Sequence, residues 1–431
     1  MTAAYPLVLS KSRPLRLVTF FYLYFMQGLP AGFALTALAN FLLAEELSAQ
    51  QVGTFVALVG LPWTVQFIWG PFIDRFQHTA MGSRKPWVVV SQLCACLASL
   101  ALLLVVNPAQ EIYLLSACFF LHSVFASIQD ASVDAMAISV TPVAERGRVN
   151  ACMRGGMLIG SSLGGAVMAL CLRSWGFQAA VLMQGLMLLA FTLLTFFIKE
   201  NEQDALLAFR FVRNDQQATN EQPTLTSIFL KLFTALLSKL SLRTFGVIAL
   251  VYICLSIFVR SLNVYLIQEL HWTDTYLSTL SSSYVVVGAT LVMVAGGILS
   301  DRMGAGKLLC ITIGLIGGFL LLFNLMAPLW NNQAVSSTGL LVWYMFDPSF
   351  SIAAMPILMN ISQKGIEAAQ FTTYMSLVNF SDVVGSYVSG YILSWLSAPT
   401  IGILCGLLML ALLFFLLFIA RPAIQKTGMT L

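Results

Sequence analysis

The sequence predicts an all-α membrane protein: twelve transmembrane helices in two six-helix bundles, with both termini cytoplasmic. Three observations carry this. Of 431 residues, 59% are hydrophobic and only 9% are charged, whereas a soluble domain carries about 25% charge. The apolar residues gather in windows long enough to cross a bilayer, which takes roughly 20 residues each. The basic residues lie almost wholly on one side of those windows. So little charge cannot cover the surface of a water-soluble enzyme. A net charge of +4 is too small to suggest nucleic acid as a partner. The partner these numbers point to is the lipid bilayer, with the chain expected to act as a monomer.

The run from Leu17 to Leu43 follows Lys11, Arg13 and Arg16. It is too long for the core of a cleavable signal peptide and is read as the first span. The others are 52–73, 86–106, 112–140, 149–171, 178–198, 244–268, 276–299, 308–328, 337–360, 371–395 and 399–420, read from apolar windows between polar breaks. With the termini inside, 19 of the 22 basic residues fall on inner segments and only Arg173 on an outer one; Arg154 and Arg260 lie within spans. That asymmetry sets the orientation. The longest polar stretch, Lys199 to Arg243, divides the chain into an N-terminal bundle (1–200), a cytoplasmic linker (201–242) and a C-terminal bundle (243–431). Within the linker Leu225, Ile228, Phe229, Leu232, Phe233, Leu236, Leu237 and Leu240 recur at helical spacing, predicting an amphipathic helix on the membrane face. The eight cysteines lie in or at the ends of apolar segments with no CxxC. They read as small core hydrophobes, and no disulfide framework, metal site or cofactor is expected.

Two inner loops repeat a motif. Gly70-Pro-Phe-Ile-Asp74-Arg75, followed by Arg84, comes after the second span; Gly297-Ile-Leu-Ser-Asp301-Arg302 comes after the eighth, 227 residues later. A duplicated bundle is the mark of a transporter built from two halves. At these residues the chain resembles the major facilitator superfamily. The resemblance implies a cytoplasmic gate in which Asp74, Arg75, Arg84, Asp301 and Arg302 tie helix ends together in the outward-open state. In the fifth span Gly156, Gly160 and Gly164 stand at the four-residue spacing that lets helices pack backbone to backbone. Ser161 stands where the antiporters of the superfamily commonly have proline, which points toward uptake.

Ionisable groups within a bilayer are costly, about 2.5–3.5 kcal/mol each on insertion scales, and so mark function. In the fourth span Ser116, Ser123, Ser127, Asp130 and Asp134 fall within about 60° of one another on a helical wheel, with Gln129 and His122 to one side. This stripe should face the central path. Asp347 is placed mid-span in the tenth span, where Pro348 beside it removes a backbone bond and weakens the helix. Asp347 and Asp382 lie at a depth like that of Asp130, and three carboxylates near one depth suit proton binding. Either Asp130 or Asp382 is the expected carrier. Arg260, in line with Tyr252, Ser256 and Asn263, either binds an anionic substrate bidentately or locks Asp382. Arg154 and Asp134, at similar depth on consecutive spans, are expected to form a helix–helix ion pair. Gln27-Gly28-Leu29-Pro30 and Gly60-Leu61-Pro62 break their helices, either as routine kinks or to offer carbonyls to a cavity.

Gln27-Gly28-Leu29-Pro30, the run Leu61 to Arg75, Gln129-Asp130-x-x-x-Asp134, Glu145-Arg146-Gly147 and Arg84-Lys-Pro-Trp87 are similar to one branch of the superfamily. It holds the AmpG-type muropeptide permeases, the RhtX/FptX siderophore permeases and the eukaryotic acetyl-CoA transporter. The likeness lies mainly in the first half. Members often carry lysine where Gln66 stands. The expected function is a proton-coupled permease importing a medium-sized solute, a siderophore first, across the bacterial inner membrane by alternating access. A muropeptide, another peptide or acyl-CoA, or export by the same fold, are the alternatives. No Gly-x-x-x-x-Gly-Lys-Ser/Thr loop of an ATP pump occurs. A membrane acyltransferase would need a catalytic base, but His78, His122 and His271 have no acid at motif spacing.

Overall fold

The computed structural model describes residues 7–75, 79–142, 145–206, 225–283, 288, 299, 302–362 and 367–420. In chain order the helices are α1 (Arg13–Ala44), α2 (Ala49–Ile68, continuing as Trp69–Arg75), α3 (Lys85–Leu104) and α4 (Ile112–Val140). Next come α5 (Arg146–Trp175), α6 (Phe177–Phe196), α7 (Leu225–Leu236) and α8 (Lys239–Glu269). The last are α9 (274–283), α10 (Ala305–Leu325), α11 (Gln333–Asn360), α12 (Glu367–Ile392) and α13 (Ala398–Phe418). Among the described residues, ten helices are long and apolar enough to cross a membrane. The expected eighth span, 276–299, lies mostly outside the described residues. The expected eleventh is α12, a 26-residue helix whose Thr, Ser, Asn and Asp residues keep it out of those ten.

The local chemistry explains several ends. Ser12 caps α1 by accepting from the Leu15 amide, with Pro14 in the first turn, where proline needs no hydrogen bond. Ser238 likewise caps α8 through the Ser241 amide. Past Pro30, α1 widens into a π-helix over Phe33–Leu38, and α8 does the same at Tyr265–Glu269. The interruption at Pro348 is not the mid-helix weakness expected. The helix turns at 344–345 and restarts at Phe346, which puts Asp347 and Pro348 in a new first turn. There a proline costs nothing and a carboxylate meets the favourable end of the helix dipole.

The contacts fall into two units: Met1–Phe41 with Leu58–Glu221, and Leu42–Ala57 with Gln222–Leu431. In the first, α1 and α5 pack backbone to backbone. A Cβ at Gly28 would strike the Met157 carbonyl, and one at Gly160 would strike that of Phe25. Phe20, Leu23, Met26, Val88, Val133, Met136 and Leu188 fill the core beside this seam. In the second unit an aromatic stack forms the core, with Phe323 on Trp330 and Phe258 on Trp343, both at 4.6 Å between ring centres. The segment Leu42–Ala57 departs from the halves expected from sequence, and the reason is close packing. A Cβ at Gly53 would lie 2.7 Å from the Ser386 carbonyl, and one at Gly390 would lie 2.7 Å from that of Ala49. The helix expected in the linker is α7, which buries Leu232 and Ala235 and exposes Leu230 and Phe233.

Candidate transport site

In the first unit the polar stripe of α4 divides by chemistry. Ser116 and Ser127 donate to the carbonyls of Ile112 and Val124, so these hydroxyls are satisfied within the helix. The carboxylates have no such internal option and recruit neighbours. Gln66 Nε2 on α2 donates to Asp130 Oδ2 at 2.5 Å, and Trp69 Nε1, one turn on, donates to Ser127 Oγ at 3.0 Å. The Tyr24 hydroxyl on α1 donates to Asp134 Oδ1 and lies near enough to Asp130 to feel its charge. Arg154 on α5 acts on both carboxylates through its charge. Arg154 and Asp134, expected from sequence to pair, interact through their charges, and the hydrogen bond to Asp134 comes from the Tyr24 phenol. Gln27 and Gln129 are buried, and each leaves its Nε2 without a hydrogen bond. His122 belongs to a different cluster. Its Nδ1 lies 3.0 Å from both the Ala95 carbonyl and Ser99 Oγ, which also accepts from Gln184.

The second unit holds the other carboxylates. Asp347 on α11 and Asp382 on α12 are close enough to repel each other. Ser256 Oγ on α8 donates to the Asp382 carbonyl at 3.0 Å and lies 3.0 Å from Ser386 Oγ. The Tyr344 hydroxyl bonds Ser281 and Asn263, and Arg260 acts on it through its charge.

Of the loop-motif residues, Asp74 and Arg75 end the short helix after α2, with side chains outside the described residues, as is Asp301. Arg302 is exposed. Arg84 stands before α3 as its N-cap. This end of α3 carries a feature that the sequence reading missed. The Glu200 carboxylate, just past α6, accepts the amides of Ser83 at 3.1 Å, Arg84 at 2.6 Å and Lys85. Three orphan amides at a helix N-terminus make a ready anion cradle. The segment is tied in further by Leu9 N to Lys199 O at 2.9 Å, Ser10 N to Glu200 O at 3.0 Å and the Lys11–Glu202 pair at 3.3 Å. Arg16, buried, pairs with Glu145 at 2.6 Å. Burial raises the Glu200 pKa against the pull of those three amides, and burial raises that of Asp204 beside it. The signal for Glu200 was slight: one acid in a polar run, 115 residues from its partner.

The family model described as Major Facilitator Superfamily matches residues 20–381 and 244–428. The chain belongs to the major facilitator superfamily. An uncharacterized protein of Haemophilus influenzae is 22% identical over 85% of this chain and 86% of its own length. The Anhydromuropeptide permease of Escherichia coli K12 is 27% identical over 123 residues, which is 28% of this chain and 25% of that protein. Putative transporter AmpG 3 of Rickettsia prowazekii is 30% identical over 25% of this chain and 27% of its own. Among solved structures, the nucleoside transporter NupG superposes over 93% of this chain and 97% of its own, with TM-score 0.68 at 14% identity. A POT family transporter in complex with a thioalcohol-conjugated peptide superposes over 95% and 96%, with TM-score 0.71 at 10% identity. These structures share the fold. This major facilitator chain is a multi-pass membrane transporter, and its relatives are permeases rather than enzymes.

Proposed function

We propose that this chain is a proton-coupled permease that imports a medium-sized, peptide-bearing solute of muropeptide type across the bacterial inner membrane by alternating access. On this reading twelve spans place both termini in the cytosol, and the chain works as a monomer. The arrangement that carries the proposal is the carboxylate pair on α4. Asp130 and Asp134 are one turn apart within a membrane-spanning helix. The groups bonded to them are neutral, Gln66 and Tyr24, while the one nearby cation, Arg154, acts at longer range. A carboxylate so placed can lose its charge without stranding a salt-bridge partner, which suits a site that binds and releases a proton. Asp130 is assigned as the carrier and Asp134 as its partner. Arg260, Asn263 and Tyr344 are assigned to the anionic end of the solute, since a guanidinium beside a phenol is a fixed cation with directed donors. Asp347 and Asp382 complete the acidic lining, Gln27 and Gln129 supply unsatisfied amides, and Asp74, Arg75, Arg84, Asp301 and Arg302 form the cytoplasmic gate.

The muropeptide class is favoured over a siderophore because the named relatives in sequence are anhydromuropeptide permeases; Ser161, in place of the antiporters' proline, favours uptake. The test is accumulation of labelled muropeptides and of iron-loaded siderophores by proteoliposomes under an inward proton gradient. Muropeptide accumulation that a protonophore abolishes and Asp130→Asn removes is expected. Siderophore accumulation instead would replace the substrate class. Accumulation untouched by the protonophore would end the coupling.

A further inference from the structure

Helix α2 is shared between the two units. Its residues up to Ala57 pack in one, and those from Leu58 on pack in the other. Just past that division, beginning at Leu61, it winds as a 3-10 helix for eight residues to Ile68. Runs of this geometry longer than about four residues are uncommon, because its hydrogen bonds are poorer, and a stretch inside a longer helix often marks a hinge. Pro62 at its start suits a restart of the helix but does not hold the tighter winding for the turns that follow. Two side chains on its inner end do. In 3-10 geometry residues i and i+3 eclipse, so Gln66 and Trp69 stand on one face. They meet Asp130 and Ser127, themselves three residues apart on α4.

We propose that Gln66 is a positioning residue that couples the state of Asp130 to the winding of α2, and through it to the glycine contacts at the outer end of that helix. The inference rests on Asp130 being the proton site. A hydrogen bond to a carboxylate is roughly twice as strong as one to a neutral acid, so a proton on Asp130 loosens the anchor at Gln66. The other groups facing Asp130 are Asp134 on its own helix, Tyr24 from α1 and Arg154 from α5. None of these lies on α2, which leaves Gln66 as the one of the four that reports to it. Relaxation from 3-10 to α geometry changes the rise from about 2.0 to 1.5 Å and the turn from about 120° to 100° per residue. Over eight residues, complete relaxation shortens α2 by about 4 Å and rotates its outer end by about 160°. The contacts of Gly53 with Ser386 and of Ala49 with Gly390 leave no slack for a side chain, and they do not survive even part of that rotation. The proton would thus release the outer end of α2 from α12.

The test uses the full chain, cysteine-free, in lipid nanodiscs, with spin labels at Gln51→Cys on α2 and Trp395→Cys after α12. Distance distributions are recorded by double electron–electron resonance in acid and alkaline buffer. In the otherwise unchanged protein, two populations should exchange, their ratio moving about tenfold with pH, the size expected if half of a charge-assisted bond is lost. Gln66→Leu, and Gln66→Met as a near-isosteric second variant, should make the ratio independent of pH. Asp130→Asn should do the same. If the Gln66 variants keep the shift while Asp130→Asn loses it, the coupling through Gln66 is wrong and the proton site stands. If Asp130→Asn keeps it, the proton site is wrong. If the unchanged protein shows no shift, α2 does not rewind and the coupling is overturned.

Discussion

Replacing Glu200 with alanine removes the acceptor shared by the amides of Ser83, Arg84 and Lys85. Hydrogen bonds to a charged acceptor contribute about 1.5–3 kcal/mol each. Water can reach part of this loop once the side chain is gone, and removing the carboxylate also removes the cost of burying its charge. Those offsets bring the expected loss to about 2–4 kcal/mol, somewhat above a typical N-cap deletion. Glu200→Gln keeps an acceptor oxygen and should lose far less. The protein carries its own reporters: Cys96, Cys118, Cys171, Cys254, Cys310 and Cys405 are buried free thiols, so a thiol-reactive dye reads thermal unfolding directly. Glu200→Ala should melt several degrees below the unchanged protein, with Glu200→Gln between them. The pH dependence has a definite sign. Burial raises the carboxyl pKa in the folded state, so the folded form binds the proton more tightly than the unfolded chain does. The increment that this tighter proton binding adds to stability is present below the unfolded pKa and is lost as pH rises through the folded one, while the amide bonds to the carboxylate remain. Glu200→Gln should flatten that loss. Glu200→Ala melting with the unchanged protein would refute the capping argument.

Other substitutions probe the rest of the frame. Gly160→Val drives a side chain into the Phe25 carbonyl and should cost about 3 kcal/mol, the upper end for overpacking, seen as lower folded yield by size-exclusion chromatography. Arg16→Leu strips the partner from Glu145 and from the Leu9 carbonyl, at 2.6 and 2.7 Å. Since Glu145 keeps some access to water, a loss of about 1–3 kcal/mol is expected in the thiol-dye melt. Trp330→Ala empties a fully buried site stacked on Phe323 and met edge-on by Tyr265, and about 3–5 kcal/mol should be lost in the same assay.

Much of the fold is legible in the sequence because a bilayer imposes a length and an apolar composition that single windows reveal. The α4 stripe could be read for a related reason: helical periodicity places Asp130 and Asp134 together whatever surrounds them. What escaped were partners distant in sequence. Tyr24 looks like one more aromatic in an apolar span, yet its hydroxyl is the donor to Asp134. Gln66 was legible only as a missing lysine; its bond to Asp130 depends on a 3-10 winding that no hydropathy window encodes. Glu200 sits at the polar end of the stretch read as the N-terminal bundle, and its role depends on the fold of residues 83–85. Asp347 shows the opposite error, where the proline beside it suggested a weakened helix and the chain instead begins a new one.

Infrared difference spectroscopy of the reconstituted chain across a pH titration tests the central claim most directly, because the carbonyl stretch of a protonated carboxyl in an apolar setting is separate from that of a carboxylate. A protonated-carboxyl band that grows as pH falls, and that Asp130→Asn removes, is the predicted result. A band that survives Asp130→Asn unchanged would contradict it.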